Sequence, residues 1–131
     1  MRRIGLYARV STKAQNPQNQ ILPLREYARG RWPGAEVEEY TDVGFSGASG
    51  SRPALDRLLK EARARRVDAV VVWKLDRMFR STRHLLATLE ELRGLRVDFV
   101  SLTEQIDTAS TRGEALFAVV AAMAQLERDL I

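Results

Sequence analysis

Apolar and polar positions fall into blocks along this chain, and the period within each block assigns it an element. Residues 3–10 form an apolar run that stops at Ser11, the length and punctuation of a buried strand. Strand side chains alternate, which sends Leu6, Ala8 and Val10 into a core and Tyr7, Arg9 and Ser11 to the opposite side. After polar Thr12 to Pro17, with Asn16-Pro17 as a turn signal, Ile21, Leu24, Tyr27 and Ala28 recur at helical spacing. They predict a helix over Gln18 to Arg31, closed by Gly30 and Trp32-Pro33-Gly34. Glu36 to Tyr40 reads as a short edge strand and residues 41–53 as a Gly/Ser-rich loop. Pro53 opens a helix to about Arg65, with Leu55, Leu58, Leu59 and Ala62 inward and Arg57, Arg63, Arg65 and Arg66 on a solvated face.

The second half repeats the alternation. Asp68 to Trp73 is apolar on both faces, as in a central parallel strand covered by helices. Ser81 or Thr82 can cap a helix running to about Arg93, with Leu85, Leu86, Leu89 and Leu92 inward and Gly94 as its stop. Val97 to Leu102 is another strand, Thr103 to Arg112 a polar loop, and Gly113 to Ile131 a long last helix. The order β-α-β-α-β-α-β-α predicts an α/β, three-layer sandwich with a mostly parallel four- to five-stranded central sheet and a long C-terminal helix. The last helix is apolar all round from Ala115 to Ala124, so it reads as part core and part subunit interface.

Composition then narrows the chemistry. With 131 residues, 45% of them hydrophobic, the chain is expected to be one domain with a real core. It has no cysteine and one histidine, His84, which excludes thiolate sites, multi-histidine metal sites and histidine-based triads. No Gly-rich phosphate-binding motif occurs. The apolar run 115–124 is far shorter than the roughly 20 residues of a membrane span, so no membrane partner is expected and the cytoplasm is the default location. The net charge is +4, and three of the 21 basic residues, Lys13, Lys60 and Lys74, are lysine, the rest arginine. Arginine binds phosphate through a bidentate fork and stays charged at working pH.

Three segments follow strand ends and carry polar chemistry: Arg9 and Ser11; Asp42, Ser46 and Arg52; and Asp76, Arg77 and Arg80. In an open α/β sheet these ends converge on one crevice. A hydroxyl among several guanidiniums suits an alkoxide nucleophile and the negative charge of a phosphoryl-transfer transition state. The plainer reading is a set of Arg–Asp ion pairs locking loops together. Taken together, the residues point to serine-mediated, metal-independent phosphoryl transfer on an anionic substrate, with no cofactor. Tyr7, Trp73 and Phe99 read as core, His84 as a surface residue, and Arg83 and Arg112 as candidates for contact with a phosphate backbone.

Tyr7-Ala-Arg-Val-Ser-Thr12 with Gln15 and Gln20, then Asp42 to Gly47, Arg52, Lys74-Leu-Asp-Arg-Met-Phe-Arg80 and Gln125-Leu-Glu-Arg128 resemble the catalytic domain of the serine recombinases, the resolvase/invertase family. The resemblance covers essentially the whole chain. It implies that Ser11 attacks a DNA phosphodiester to give a 5′-phosphoserine and a free 3′-hydroxyl. Arg9, Arg52, Arg77 and Arg80 would bind the scissile phosphate, and Asp76 would orient arginines or assist proton transfer to the leaving oxygen. Tyr7, Gln15, Gln20, Asp42 and Ser46 would support the pocket, and Arg128 would lie near DNA. It also implies double-stranded DNA as partner, a homodimer through residues 113–131, a tetramer in synapsis, no metal or ATP, and a nucleoid-associated cytoplasmic location with a bacterial or phage origin.

Members of that family carry a longer final helix and a separate DNA-binding domain. The chain therefore reads as residues 1–131 of a catalytic domain cut within its last helix, expected to perform little recombination alone. Two other functions stay open. One is a catalytically inactive, recombinase-like oligomerisation or regulatory module, which the complete Ser11 and arginine set argues against. The other is a small-molecule phosphotransferase on a receiver-like fold, which would need a carboxylate nucleophile and an acidic metal cluster where only Asp42 and Asp76 are found.

Overall fold

The computed structural model describes residues 2–10, 18–43, 52–74 and 82–129. In chain order the elements are β1 (Arg3–Val10), α1 (Gln18–Arg31), β2 (Glu36–Val43), α2 (Pro53–Arg63), β3 (Ala69–Val72), α3 (Thr82–Gly94), β4 (Asp98–Ser101), β5 (Ile106–Asp107) and α4 (Thr111–Asp129). They build one five-stranded sheet in the order β2-β1-β3-β4-β5. The pairs β1–β2, β1–β3 and β3–β4 are parallel, while β5 returns antiparallel to β4. The expected mostly parallel three-layer architecture is present.

Both sheet faces are buried, as apolar strands require. Ile4, Leu6 and Ala8 of β1 pack with Ile21, Leu24 and Ala28 of α1 on one face. Tyr7, Val70 and Phe99 pack with Leu55 and Leu58 of α2 and Leu92 of α3 on the other. Gly5 lets α2 approach the sheet, because a Cβ there would collide with the Leu58 side chain. The chain passes from β1 to β2 on one side and then crosses to β3 on the other. That reversal is a topological switch point, and it opens a crevice at the carboxyl ends of β1 and β3.

Several boundaries differ from expectation. β2 extends to Val43, so residues 41–43 are strand and not loop; full-length pairing with β1 extends it. A short β5 interrupts the expected loop 103–112, because β4 offers a free edge to Ile106 and Asp107. Gly94 is the last residue of α3 and not the residue that turns the chain. The left-handed position falls on Arg96, with φ 60°, as it falls on Arg65, with φ 61°, after α2. Val97 N–H donates to Leu92 O and Arg66 N–H to Glu61 O, both at 2.9 Å, closing each helix end. Trp73 follows β3 and is half-buried, outside the core expected for it, and His84 is half-buried where a surface position was expected. Tyr7 and Phe99 are core, as expected.

The long last helix forms as expected, but its apolar girth is only partly covered. Val120 is buried and Phe117 packs against the α2/α3 side of the core. Val119, Met123 and Leu126 are exposed. Ser110 caps the helix by accepting from Gly113 N–H at 3.1 Å. Gly113 seats the first turn against the backbone of Asp107 and Thr108, where no Cβ would fit.

Candidate active site

Asp42 is the centre of the described site. The β1–β2 register sets it directly beside Arg9. Its carboxylate is buried and accepts three hydrogen bonds: the Tyr7 hydroxyl to Oδ2 at 2.9 Å, Ala54 N–H to Oδ1 at 2.8 Å and Leu55 N–H to Oδ2 at 3.1 Å. The last two donors belong to the first turn of α2. That helix starts at Arg52-Pro53, and Arg52 in the cap position makes no side-chain cap. Asp42 therefore caps α2 from a neighbouring strand, adding a negative charge at the positive end of the helix dipole. The consequence is positional: Arg52, itself buried, is held where β2 and α2 meet.

Electrostatics links the same four side chains. Burial, followed by the Asp42 carboxylate, pushes the Tyr7 phenol far above the ordinary tyrosine range, while Arg52 and Arg9 pull in the opposite direction. Tyr7 thus stays a hydroxyl and donates to Asp42. Both guanidiniums lie within electrostatic reach of one buried phenol. Two fixed cations at a strand-end crevice favour an anion there, and they favour it more as its charge rises in a transition state.

The fifth member is Gln20 on α1. Its side-chain amide donates to Arg9 O at 3.0 Å, and its oxygen accepts from Arg9 N–H at 3.3 Å. Tyr7, Arg9, Gln20, Asp42 and Arg52 are therefore brought together. Ser11, Gln15, Ser46, Asp76, Arg77 and Arg80 lie outside the described residues, as does the side chain of Arg128, whose backbone belongs to α4. Among the described residues no three His, Asp or Glu side chains are grouped as metal ligands. Of the possible backbone contacts, Arg83 is exposed and the side chain of Arg112 lies outside the described set.

Sequence reasoning missed the two α2 amides and placed Asp42 in a loop. One signal was available: Pro53 suits the first helical position, which puts Arg52, not a capping residue type, at the cap.

Comparison with known proteins decides the family. Residues 4–131 match the family profile "Resolvase, N terminal domain". The chain belongs to the serine recombinase family, of the resolvase/invertase type. It is similar to the serine recombinase gin of Escherichia phage Mu, at 42% identity over 125 residues, covering 95% of this chain and 60% of that protein. It is also similar to the transposon Tn917 resolvase of Enterococcus faecalis, at 38% identity, covering 95% of this chain and 62% of that protein. The crystal structure of the N-terminal catalytic domain of TP901-1 integrase superposes with a TM-score of 0.86 at 38% identity, covering 98% of both chains. The chain thus spans about six tenths of the length of these two curated relatives, a little under two thirds. Membership of the serine recombinases agrees with the resemblance carried by the sequence motifs, and it sets aside the receiver-like phosphotransferase.

Proposed function

We propose that this chain is the strand-cleaving domain of a site-specific DNA recombinase. The Ser11 hydroxyl loses its proton and attacks the phosphorus of a DNA phosphodiester. The bond to the 3′-oxygen breaks, that oxygen gains a proton, and the 5′ end remains esterified to Ser11. Attack by a 3′-hydroxyl of an exchanged half-site reverses the step and rejoins the strands. The ester conserves the bond energy, so no ATP is consumed. Arg9, Arg52, Arg77 and Arg80 hold the phosphate and its transition-state charge, and Asp76 orients arginines or assists proton transfer to the 3′-oxygen. Tyr7, Asp42, Gln20, Gln15 and Ser46 support the pocket, and Arg128 lies near the DNA.

The observation that supports this reading best is the pair Arg9 and Arg52, gathered around the buried Tyr7–Asp42 hydrogen bond at the crevice end of β1, two residues before Ser11 in sequence. Partners are double-stranded DNA and further copies of the chain: a dimer through residues 113–131 and a tetramer in synapsis. The exposed Val119, Met123 and Leu126 of α4 are an apolar surface fit for such a dimer. Among the described residues no helix is long and apolar enough to cross a membrane, and the reading assigns the protein to the DNA-containing cytoplasm of a bacterium or phage host.

The test uses the full-length protein with plasmid carrying the DNA that flanks its gene, quenched with SDS. The expected product is protein attached to 5′ DNA ends, formed in EDTA and abolished by Ser11→Ala. DNA binding without any such adduct would favour the non-catalytic module.

A further inference from the structure

The two sides of β1 are not equally paired. β2 runs beside all eight of its residues, Arg3 to Val10, whereas β3 pairs only with Ile4 to Tyr7. In a parallel strand the N–H and C=O of one residue point to the same side, and successive residues alternate. Glu36 N–H donates to Arg2 O, so even-numbered residues face β2. Asp68 N–H donates to Arg3 O, so odd-numbered residues face β3. Arg9 therefore turns its backbone toward the β3 side after β3 has ended at Val72. What meets it there is the Gln20 carboxamide, which donates to Arg9 O and accepts from Arg9 N–H. The opposite end of β1 is closed in a related way, where the Asp68 carboxylate accepts from Arg3 N–H at 2.8 Å.

We infer that Gln20 is a positioning residue, whose side-chain amide takes the place of a missing strand beside Arg9 and thereby holds the end of β1 for cleavage at Ser11. The chemistry explains the residue type. A carboxamide presents one donor and one acceptor in a single plane, as a peptide group does. A carboxylate can accept but not donate, so it meets Arg9 N–H and repels Arg9 O. Among the described residues the strand pairing at the last residues of β1 comes from β2, which is itself the edge strand, and Gln20 adds a hold on the other side. The inference rests on the recombinase reading in one respect, that Ser11 is the nucleophile.

The experiment measures two things on the full-length protein: amide hydrogen exchange at Arg9 and Tyr7, and the single-turnover rate of adduct formation on plasmid carrying the gene's flanking DNA. Gln20→Ala and Gln20→Glu are expected to expose the Arg9 amide while Tyr7 stays protected. They slow adduct formation about 10- to 100-fold, the usual penalty for misplaced reacting groups, with gel-shift affinity for the same DNA within about twofold of wild type. A protonated carboxyl regains the donor, so the Gln20→Glu rate relative to wild type rises as pH falls from about 8 toward about 5, whereas the Gln20→Ala ratio stays flat. Unchanged Arg9 exchange would overturn the strand replacement, even on DNA that is not cut. Lost protection with undiminished adduct formation would overturn the positioning role. Adduct that survives Ser11→Ala would instead overturn the nucleophile assignment, whatever the Gln20 variants do.

Discussion

Asp42 satisfies a phenol and two helix-end amides at once, 35 residues from Tyr7 in sequence and 12 and 13 from Ala54 and Leu55. Removing it leaves three buried donors without an acceptor. Asp42→Ala is expected to cost about 3 kcal/mol of stability, and Tyr7→Phe about 1–2 kcal/mol, by urea unfolding. Tyr7→Phe also tests a pH dependence. Burial, then Asp42, raises the Tyr7 phenol, and burial, then Glu38, pushes Tyr40 up to about 12. The unfolded phenols ionise first, near pH 10, so above that pH the folded chain binds more protons and stability falls. The contribution is complete below about pH 10 and is lost as pH rises through the folded values. The urea midpoint of the wild type should therefore fall above about pH 10, and Tyr7→Phe should fall less steeply. An equal slope in both would show that Tyr7 is not the buried phenol described.

Elements meet at glycines and end at arginines in this fold. A Cβ on Gly5 would run into the movable end of Leu58, so Gly5→Ala is expected to destabilise by about 1–3 kcal/mol. Shortening Leu58 in the same chain should recover part of that loss in a double-mutant cycle. At Gly113 the obstacle is backbone, Asp107 O and Thr108 Cα, which cannot step aside. Gly113→Ala should lower Tm more than Gly5→Ala and should unseat the start of α4. Arg65 and Arg96 occupy left-handed positions that glycine adopts without strain. Arg96→Gly is expected to stabilise by roughly 0.5–1 kcal/mol, read as a raised urea midpoint. Its side chain makes none of the ion pairs found among the described residues, so the gain is not offset by a lost one.

At the scale of the whole molecule, the described contacts of α4 with the body lie in its first half. Arg93 pairs with Glu114 at 3.2 Å, and its guanidinium lies over Phe117, 5.1 Å from the ring centroid. Both contacts are exposed and worth about 1 kcal/mol or less, so burial of Phe117 and Val120 anchors the helix. Val119, Met123 and Leu126 of the same helix are exposed. Met123→Lys should leave the Tm of the monomer within about 2 °C, as surface substitutions do, while weakening self-association in sedimentation velocity. Unaltered association would move the proposed dimer surface elsewhere.

The order of elements, their apolar faces and the gathering of Arg9, Asp42 and Arg52 at one end of the sheet were legible in the sequence. Hydrophobic period is a local property, and the loops that follow parallel strands emerge at the same end. The motif Tyr7 to Thr12 with Lys74 to Arg80 carried the family for the same reason, since its residues are contiguous. The tertiary structure alone decided the strand order with its switch beside β1, the extension of β2 through Asp42, the two-residue β5, and the partners of Asp42 and Gln20. Those features depend on which backbone groups remain to be satisfied once distant segments have packed. A cap supplied by another strand, or a side chain standing in for a strand, leaves no periodic trace in the sequence.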